Sequence, residues 1–426
     1  MEALRSVFGI IALLVIAFAI SNNRRAINPR TVLAALALQL AIGAFALFVP
    51  LGRDALGAIA RGVGNVLQNG ESGIAFMFGG LVGPKMFEVF GRDGFSYALR
   101  VLPLIIFVTA LIAVLYYLHV MKWIIKVIGS LLAKIMGISS IEAYSAVATI
   151  FLGQQEIPAL VKPFIKKLSG PQIFAVMSSG MASVAGAALA GYAMLGVKME
   201  YLIAASFMAV PGGILFGKII CPVTEPNQIE VDSLEFDEKR AANVIEAAAA
   251  GGAVGMKIAV YVAAMLITFI GLIALLNNMV SGITGYFGFH DVTLQYLLGI
   301  IFSPIAWLIG VPWHDASIAG NFIGVKLILN EYVAYTGLAP YLQATTQVIA
   351  SGLQVLSPKT LTIVSFALCG FANFSSIAIL TGSFGAIDPE VRGRVAKYGL
   401  RALASATLSN LMSATIAGLF VSLAAM

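Results

Sequence analysis

The stretch IEAYSAVATIFLGQQEIPALVKPFIKK, residues 141–167, decides the fold of this chain. It is apolar at both ends, and its centre is the polar run Gly153-Gln154-Gln155-Glu156, which Pro158 follows. Each half is about a dozen residues long, whereas a helix that spans a membrane needs about 20. Lysines lie on both sides, at Lys134, Lys162, Lys166 and Lys167. This pattern predicts a re-entrant helical hairpin that enters the membrane from the cytoplasmic side.

The composition of the whole chain indicates a membrane protein. Of 426 residues, 60% are hydrophobic and 11% are charged, against roughly 45–50% and 25% in soluble proteins. This balance excludes an ordinary cytosolic enzyme, a disordered chain and a nucleic-acid binder. The formal net charge of +6 is typical of basic cytoplasmic loops. Cys221 and Cys369 make neither a disulfide framework nor a metal-ligand cluster, and no cofactor is expected.

Apolar segments predict eight spanning helices. They lie at 7–20, 31–50, 101–120, 172–196, 201–220, 257–277, 359–385 and 395–425. The glycine-rich, charged stretch 52–98 is predicted to form short interfacial helices, the alanine-rich stretch 241–256 another, and the acidic stretch 224–240 a cytoplasmic linker. Arg24, Arg25 and Arg30 follow the first span, so the positive-inside rule places the N-terminus outside the cell.

Residues 293–340 repeat the hairpin pattern. Polar and helix-breaking residues interrupt this apolar stretch at Pro304, Gly310, Pro312, His314, Asp315 and Asn330-Glu331. Its flanks are poor in positive charge, which predicts a second hairpin that enters from the outside. His314 and Asp315 are expected at a wet hairpin entrance, with no catalytic role.

The span after each hairpin also carries a polar interruption, at Ser178–Ser183 in one and at Cys369–Ser376 in the other. The order hairpin, interrupted span, span therefore occurs twice. A repeat whose two hairpins enter the membrane from opposite sides is typical of inverted-repeat transporters with a site near the membrane midplane. The predicted fold is an all-α polytopic membrane protein with eight transmembrane helices and two opposed re-entrant hairpins.

The repeat divides the chain into four parts. Residues 1–139 are expected to form a scaffold part with three spans and interfacial helices, and residues 140–220 the first transport repeat. Residues 221–292 would hold the acidic loop, an interfacial helix and a scaffold span, and residues 293–426 the second transport repeat.

Two carboxylates lie at membrane depth with apolar neighbours on both sides, Glu156 and Glu331. An ionisable group there costs at least about 2.5–3.5 kcal/mol on insertion scales, so both are expected to face a cavity and bind a polar ligand. Carboxylates accept bonds from hydroxyls, and amides can match the edge of a heterocycle. The amides and hydroxyls nearby are Gln154, Gln155, Asn330, Asn373, Ser375 and Ser376. These clusters contain no Arg or Lys, which favours a neutral polyhydroxylated heterocycle over an anion.

The residues alone leave two alternatives open. Glu156 and Glu331 could be the acid and base of an intramembrane enzyme, or the chain could be a passive facilitator. No HExxH, GxSxG or CxxC motif supports the enzyme. The sequence also lacks GxxxxGK[ST], so uphill transport would have to use an ion gradient.

Three motifs in this order resemble those of concentrative nucleoside transporters: Gly153–Glu156, Asn330-Glu331-Tyr332 and Gly370–Ser376. Pro211-Gly212-Gly213 and Thr224-Glu225 extend the resemblance, which covers essentially the whole chain and is closest to the bacterial nucleoside and pseudouridine permease branch. The resemblance implies a homotrimer in the cell inner (plasma) membrane, surrounded by lipid, that imports nucleosides such as uridine or pseudouridine and binds no nucleic acid.

The resemblance also implies roles for individual residues. The nucleobase would be addressed by Gln154, Gln155 and Glu156, and the ribose by Glu331, Asn373 and Ser376, with Phe371 close to the ligand. The family's sodium site corresponds here to Thr149, Leu152, Ser183 and Val184. Sodium-coupled members have Asn in place of Thr149, whose hydroxyl reaches less far. A proton is therefore favoured over sodium as the coupling ion, and no other metal is expected.

Overall fold

A computed structural model describes residues 2–224, 241–288 and 292–424 of the chain. Within these ranges the protein is built from α-helices and short 3-10 turns, without a β-strand. The acidic stretch predicted as a linker, apart from Thr224, lies outside the described residues.

The first third of the chain forms seven helices. They are α1 (Glu2–Ala19), α2 (Pro29–Leu47), α3 (Pro50–Phe78), α4 (Lys85–Phe90), α5 (Tyr97–Arg100), α6 (Leu102–Tyr117) and α7 (Val120–Met136). The prediction of short helices within 52–98 is wrong for most of that stretch, because α3 runs unbroken for 29 residues. Its glycines lower helix propensity by only about 1 kcal/mol each, and its charged side chains can remain on the solvated face, so neither ends the helix.

Residues 140–220, predicted as the first transport repeat, contain five helices. The predicted hairpin is the pair α8 (Ser140–Ala148) and α9 (Ile157–Val161), joined by the tip at residues 149–156. The following span is broken into α10 (Gly170–Ala182) and α11 (Gly186–Met194), and α12 (Met199–Ile220) is continuous. Ser139 and Glu142 form a capping box at the start of α8, and Ser169 and Gln172 form one at α10. These caps fix where each half-helix begins.

A single long helix separates the two repeats. α13 (Val244–Tyr286) has 43 residues, so the prediction of an interfacial helix at 241–256 followed by a separate span is wrong. At a rise of about 1.5 Å per residue it measures about 64 Å, twice the thickness of a bilayer core. Alanine is the best helix former, and the alanine-rich stretch therefore joins the apolar stretch without a break.

The stretch predicted as the second repeat begins with α14 (Leu294–Leu308), which meets the next helix at a bend of 114°. The stretch 293–340 thus holds three helices rather than one hairpin. The hairpin itself is α15 (Trp313–Ile328) and α16 (Glu331–Leu338), with its tip at Leu329-Asn330. Pro304 lies inside α14 without breaking it, and Gly310 takes a positive φ of 108° at the bend, which glycine adopts without steric cost.

The helices after this hairpin follow the order of the first repeat. A short α17 (Thr345–Ala350) leads to a broken span, α18 (Pro358–Leu368) and α19 (Phe374–Ile387), and then to the continuous α20 (Pro389–Ala424). The predicted order hairpin, interrupted span, span is therefore present in both halves of the chain.

Burial separates a core from a periphery. The most apolar windows of α10–α11, α12 and α20 are 83%, 94% and 72% buried. The corresponding values are 33% for α2, 6% for the stretch 50–90 that begins with α3, and 22% for α13. α10 packs against α12 and α20, so the two repeats interlock at the centre of the molecule.

Each hairpin is anchored by a buried carboxylate in the first turn of its first helix. The Glu142 carboxylate accepts a bond of 2.5 Å from the Lys218 ammonium of α12. Asp315 is fully buried and accepts bonds from Gln354 Nε2 (2.9 Å), the Ser357 backbone N–H (3.1 Å) and Thr360 Oγ1 (2.7 Å). The expectation of a wet entrance at Asp315 is therefore wrong, since its carboxylate caps the start of α18. His314 beside it is exposed.

Candidate functional site

One large cavity, of about 1600 Å³, lies between the two hairpin tips and the two broken spans. Its lining includes six of the seven predicted substrate residues: Gln154, Gln155, Glu156, Glu331, Phe371 and Asn373. α6 and α13 form the opposite wall, through residues such as Ile112 and Tyr261. The cavity extends as far as Lys122, Lys162 and Lys257.

Glu331 is held in place at the first position of α16. The preceding Asn330 caps the helix, because its side-chain oxygen accepts from the Val333 N–H at 2.9 Å. The Glu331 carboxylate is 4% exposed. One oxygen accepts from the Tyr192 hydroxyl at 3.0 Å and the other from the Asn373 amide at 3.1 Å. An ionised carboxylate has about four lone-pair sites, so acceptor capacity remains for a ligand.

Asn373 performs the same capping role for α19 that Asn330 performs for α16. Its side-chain oxygen accepts from the Ser376 N–H at 3.0 Å and from the Ser375 hydroxyl at 2.6 Å. The amide nitrogen is thereby directed to Glu331. The break before α19 thus places an Asn amide and the hairpin carboxylate in direct contact, although 42 positions separate them in sequence.

The tip of the first hairpin reaches the same cluster. Gln154 Nε2 donates to Ser376 Oγ at 2.8 Å, so Ser376 joins the two halves of the site although it does not line the cavity. The side-chain oxygen of Gln154 is buried and accepts no hydrogen bond from the protein. Glu156 accepts from the Gly153 N–H at 3.1 Å and is half-buried, and Gln155 is exposed to the cavity.

Two aromatic residues support the site, Phe371 on the cavity lining and Tyr192 behind it. Phe371 is half-buried in the break of the second broken span, and its N–H donates to the Ser183 carbonyl at 3.1 Å, which ties this break to that of the first broken span. Tyr192 is fully buried, with its ring 4.6 Å from that of Tyr335. Sequence reasoning missed Tyr192, because a tyrosine within an alanine-rich span resembles ordinary packing. The polar interruption at Ser178–Ser183, earlier in the same broken span, was the available signal that the Tyr192 hydroxyl has a polar partner.

The positions predicted for an ion site lie together beside the first hairpin tip. The Ser183 hydroxyl donates to the Thr149 carbonyl at 3.2 Å, and the Thr149 hydroxyl donates to the Ala146 carbonyl at 2.6 Å. Both residues, and Val184, are buried. Of the four positions, Leu152 lines the cavity. In this conformation the Thr149 side chain is directed into its own helix.

The arrangement brings acceptors and amides from both repeats onto one cavity. Glu331 provides a carboxylate, Gln154 provides an amide with a buried acceptor, and Phe371 provides an aromatic face. A cavity between hairpin tips and broken helices, inside a repeated bundle, defines a secondary membrane transporter.

The chain belongs to the concentrative nucleoside transporter family. Residues 201–418 match the family described as Na⁺ dependent nucleoside transporter C-terminus, and residues 8–81 match the corresponding N-terminus. Residues 98–199 match the family described as nucleoside recognition. The protein is therefore a multi-pass membrane transporter of the nucleoside permease type, and the alternative of an intramembrane enzyme is wrong.

Relatives cover the full length of the chain. NupX of Escherichia coli K12 is 50% identical over 424 residues, which is 100% of each chain. The nucleoside permease NupC of Helicobacter pylori is 46% identical over 423 residues, 99% of each chain. Sodium/nucleoside cotransporter 1 of Mus musculus is 33% identical over 98% of this chain and 64% of its own length.

Solved structures confirm the predicted all-helical fold. CNTnw in an inward-facing substrate-bound state matches with a TM-score of 0.94 at 49% identity, over 100% of this chain and 99% of that one. A doubly substituted CNTnw in an outward-facing state matches with a TM-score of 0.95 at 50% identity, over 100% and 99% of the two chains. The overall similarity is thus equally high to both states.

Proposed function

We propose that this protein imports nucleosides such as uridine or pseudouridine across the cell inner (plasma) membrane, by symport with a cation. The observation that supports this best is the position of the Glu331 carboxylate. It lies on the cavity, held by Tyr192 and Asn373, and Ser376 connects this Asn373 to the Gln154 amide of the other repeat. A hydroxyl-binding group next to amides suits a sugar joined to a heterocycle.

In this proposal the ribose hydroxyls bind Glu331, Asn373 and Ser376. The nucleobase lies toward Gln154, Gln155 and Glu156, with Phe371 beside the ligand. Gln154 supports this orientation, since its buried side-chain oxygen accepts no protein hydrogen bond and a buried acceptor favours a partner. A pyrimidine N–H would supply one.

We propose a proton as the coupling ion. Sodium prefers several oxygen ligands, and the short Thr149 side chain is directed into its own helix, where its hydroxyl donates to the Ala146 carbonyl. Sodium is the second candidate. It is favoured by the family description as Na⁺ dependent and by the Ser183 hydroxyl and Thr149 carbonyl, which are 3.2 Å apart and could turn toward one ion.

The cavity also bears on the state and assembly of the transporter. Its far end reaches Lys122, Lys162 and Lys257, and lysines concentrate on the cytoplasmic side, which supports an inward-open state and an N-terminus outside. The weakly buried helices of the 1–139 and 221–292 parts suit a scaffold that contacts lipid and two further subunits in a homotrimer. The well-buried 140–220 and 293–426 repeats suit the moving transport part.

Uptake of labelled uridine into proteoliposomes tests the proposal. One arm applies an inward proton gradient without sodium, and the other an inward sodium gradient at uniform pH. Accumulation above equilibrium in the first arm alone is expected. Accumulation driven by sodium alone would show that sodium, and not the proton, is the coupling ion. Equilibration without accumulation in both arms would indicate a facilitator. No uptake in either arm would contradict the proposed function.

A further inference from the structure

A lysine is buried at the end of the second hairpin's first helix. Lys326 lies in the last turn of α15 and is 4% exposed. Its ammonium donates to the Ala367 carbonyl and to the Asn410 side-chain oxygen, each at 2.7 Å. Ala367 is the penultimate residue of α18, so the charge lies at the break of the second broken span.

Asn410 of α20 extends this contact to both broken spans. Its amide nitrogen donates to the Ala182 carbonyl at 2.6 Å and to the Cys369 carbonyl at 3.2 Å. Ala182 is the last residue of α10, so one amide joins the carboxyl ends of α10 and α18. Gly370 allows this crossing, since a Cβ there would collide with the Asn410 amide and the Ala182 carbonyl.

The carboxyl end of a helix carries a partial negative charge and unsatisfied carbonyls, and a cation there is stabilising. The two repeats differ at this place. In the first repeat, the predicted ion positions Thr149 and Ser183 stand between the hairpin tip and the end of α10, and they are neutral. In the second repeat, the matching place between α15 and the end of α18 holds the Lys326 ammonium.

We propose that Lys326 is a built-in cation that holds the break between α18 and α19 in its binding geometry. This inference rests on the proposed function. Lys326 is a positioning residue. Its ammonium donates to Ala367 and Asn410, and it acts on the site indirectly, through the break that carries Phe371 and Asn373.

Two substitutions separate the charge from its packing. Lys326→Gln keeps an N–H donor without the charge, on a side chain one atom shorter. Lys326→Ala removes three methylenes and the ammonium, which together have the shape of n-propylammonium. Uridine affinity, measured by calorimetry on purified protein, is expected to fall about 10- to 100-fold in both, as for loss of a charged hydrogen bond. Lys397→Ala, an exposed lysine of α20, is the matched control and should bind as the unsubstituted protein does.

Rescue by a free amine tests the role of the charge directly. Added n-propylammonium should restore uridine binding to Lys326→Ala within about threefold of the unsubstituted protein, whereas n-propanol, which fills the space without charge, should not. Lys326→Gln, whose site is filled, should not respond to either compound. Uridine binding by Lys326→Gln within threefold of the unsubstituted protein, or equal rescue of Lys326→Ala by propanol, would overturn the inference.

Melting temperatures separate this inference from the proposed function. n-Propylammonium should raise the melting temperature of Lys326→Ala more than n-propanol does, without nucleoside present, and should leave the unsubstituted protein unchanged. If the unsubstituted protein fails to bind uridine, the proposed function fails, while this thermal comparison still decides whether Lys326 acts as a cation. If Lys326→Ala does not fold, the affinity of Lys326→Gln decides.

Discussion

Replacing Glu331 by Gln tests the central contact of the site. The carboxylate accepts from Tyr192 at 3.0 Å and from Asn373 at 3.1 Å, and its remaining lone pairs are assigned to ribose hydroxyls. Gln is isosteric but turns one acceptor oxygen into an NH₂ donor, so one charge-assisted bond is lost. Such a bond contributes about 1.5–3 kcal/mol, which corresponds to about 10- to 150-fold in uridine affinity.

Calorimetry with two ligands identifies which group Glu331 binds. The affinity for uridine should fall by this full factor in Glu331→Gln. For 2′,3′-dideoxyuridine, which lacks the hydroxyls, affinity is already low in the unsubstituted protein, because a site built to bind a hydroxyl rejects the analogue without it. The substitution should lower the affinity for this second ligand by less than about threefold, because the dideoxy analogue makes no bond to Glu331 that could be lost.

Glu390→Gln, at an exposed carboxylate in the first turn of α20, is the matched control and should leave both affinities unchanged. Melting temperatures of both variants establish that the fold is intact. Equal losses for uridine and its dideoxy analogue in Glu331→Gln would place the ribose elsewhere and refute the reasoning.

Three further predictions address other parts of the site. Gln154→Ala should lower the affinity for uridine by about tenfold, as for one hydrogen bond to a buried polar group. In competition binding it should also reduce discrimination between uridine, cytidine and inosine. Unchanged discrimination would show that Gln154 does not recognise the base. Thr149→Asn adds a longer amide oxygen and should make uptake into proteoliposomes respond to sodium, and a variant that transports without any sodium response would show that this position is not an ion ligand. Asp315→Asn replaces a buried carboxylate that accepts three hydrogen bonds, so the free energy of unfolding should fall by about 2–4 kcal/mol; an unchanged melting temperature would contradict its anchoring role.

The breaks in the helices were predictable from local chemistry. Asn330 and Asn373 are good N-cap residues, and each begins a half-helix in the structure. Gly153 and Pro158 mark the tip of the first hairpin because neither favours a continuous helix. The resemblance named the site residues, and the cavity gathers six of them, although their roles remain predictions.

Continuity and long-range partners were not predictable in the same way. Nothing local shows that α3 and α13 continue through charged or alanine-rich stretches, because isolated glycines and charges are tolerated within a long helix. The contacts of Glu331 with Tyr192 and of Lys326 with Asn410 join residues 139 and 84 positions apart. Such pairs depend on how the two repeats cross, which one sequence does not reveal.

The size of the cavity has a pharmacological consequence. At about 1600 Å³ it exceeds the roughly 300–1,000 Å³ typical of sites for drug-sized ligands, and at about 30 Å³ per molecule it has room for about fifty waters. In the proposed binding mode, a nucleoside at Glu331 leaves a wide vestibule in front of it. An analogue that carries a bulky extension on the side away from Glu331 could bind without clashing, yet the extension would prevent the walls from closing behind it. Blockers of this carrier are thus better built by lengthening the substrate into the vestibule than by refining its fit at the floor.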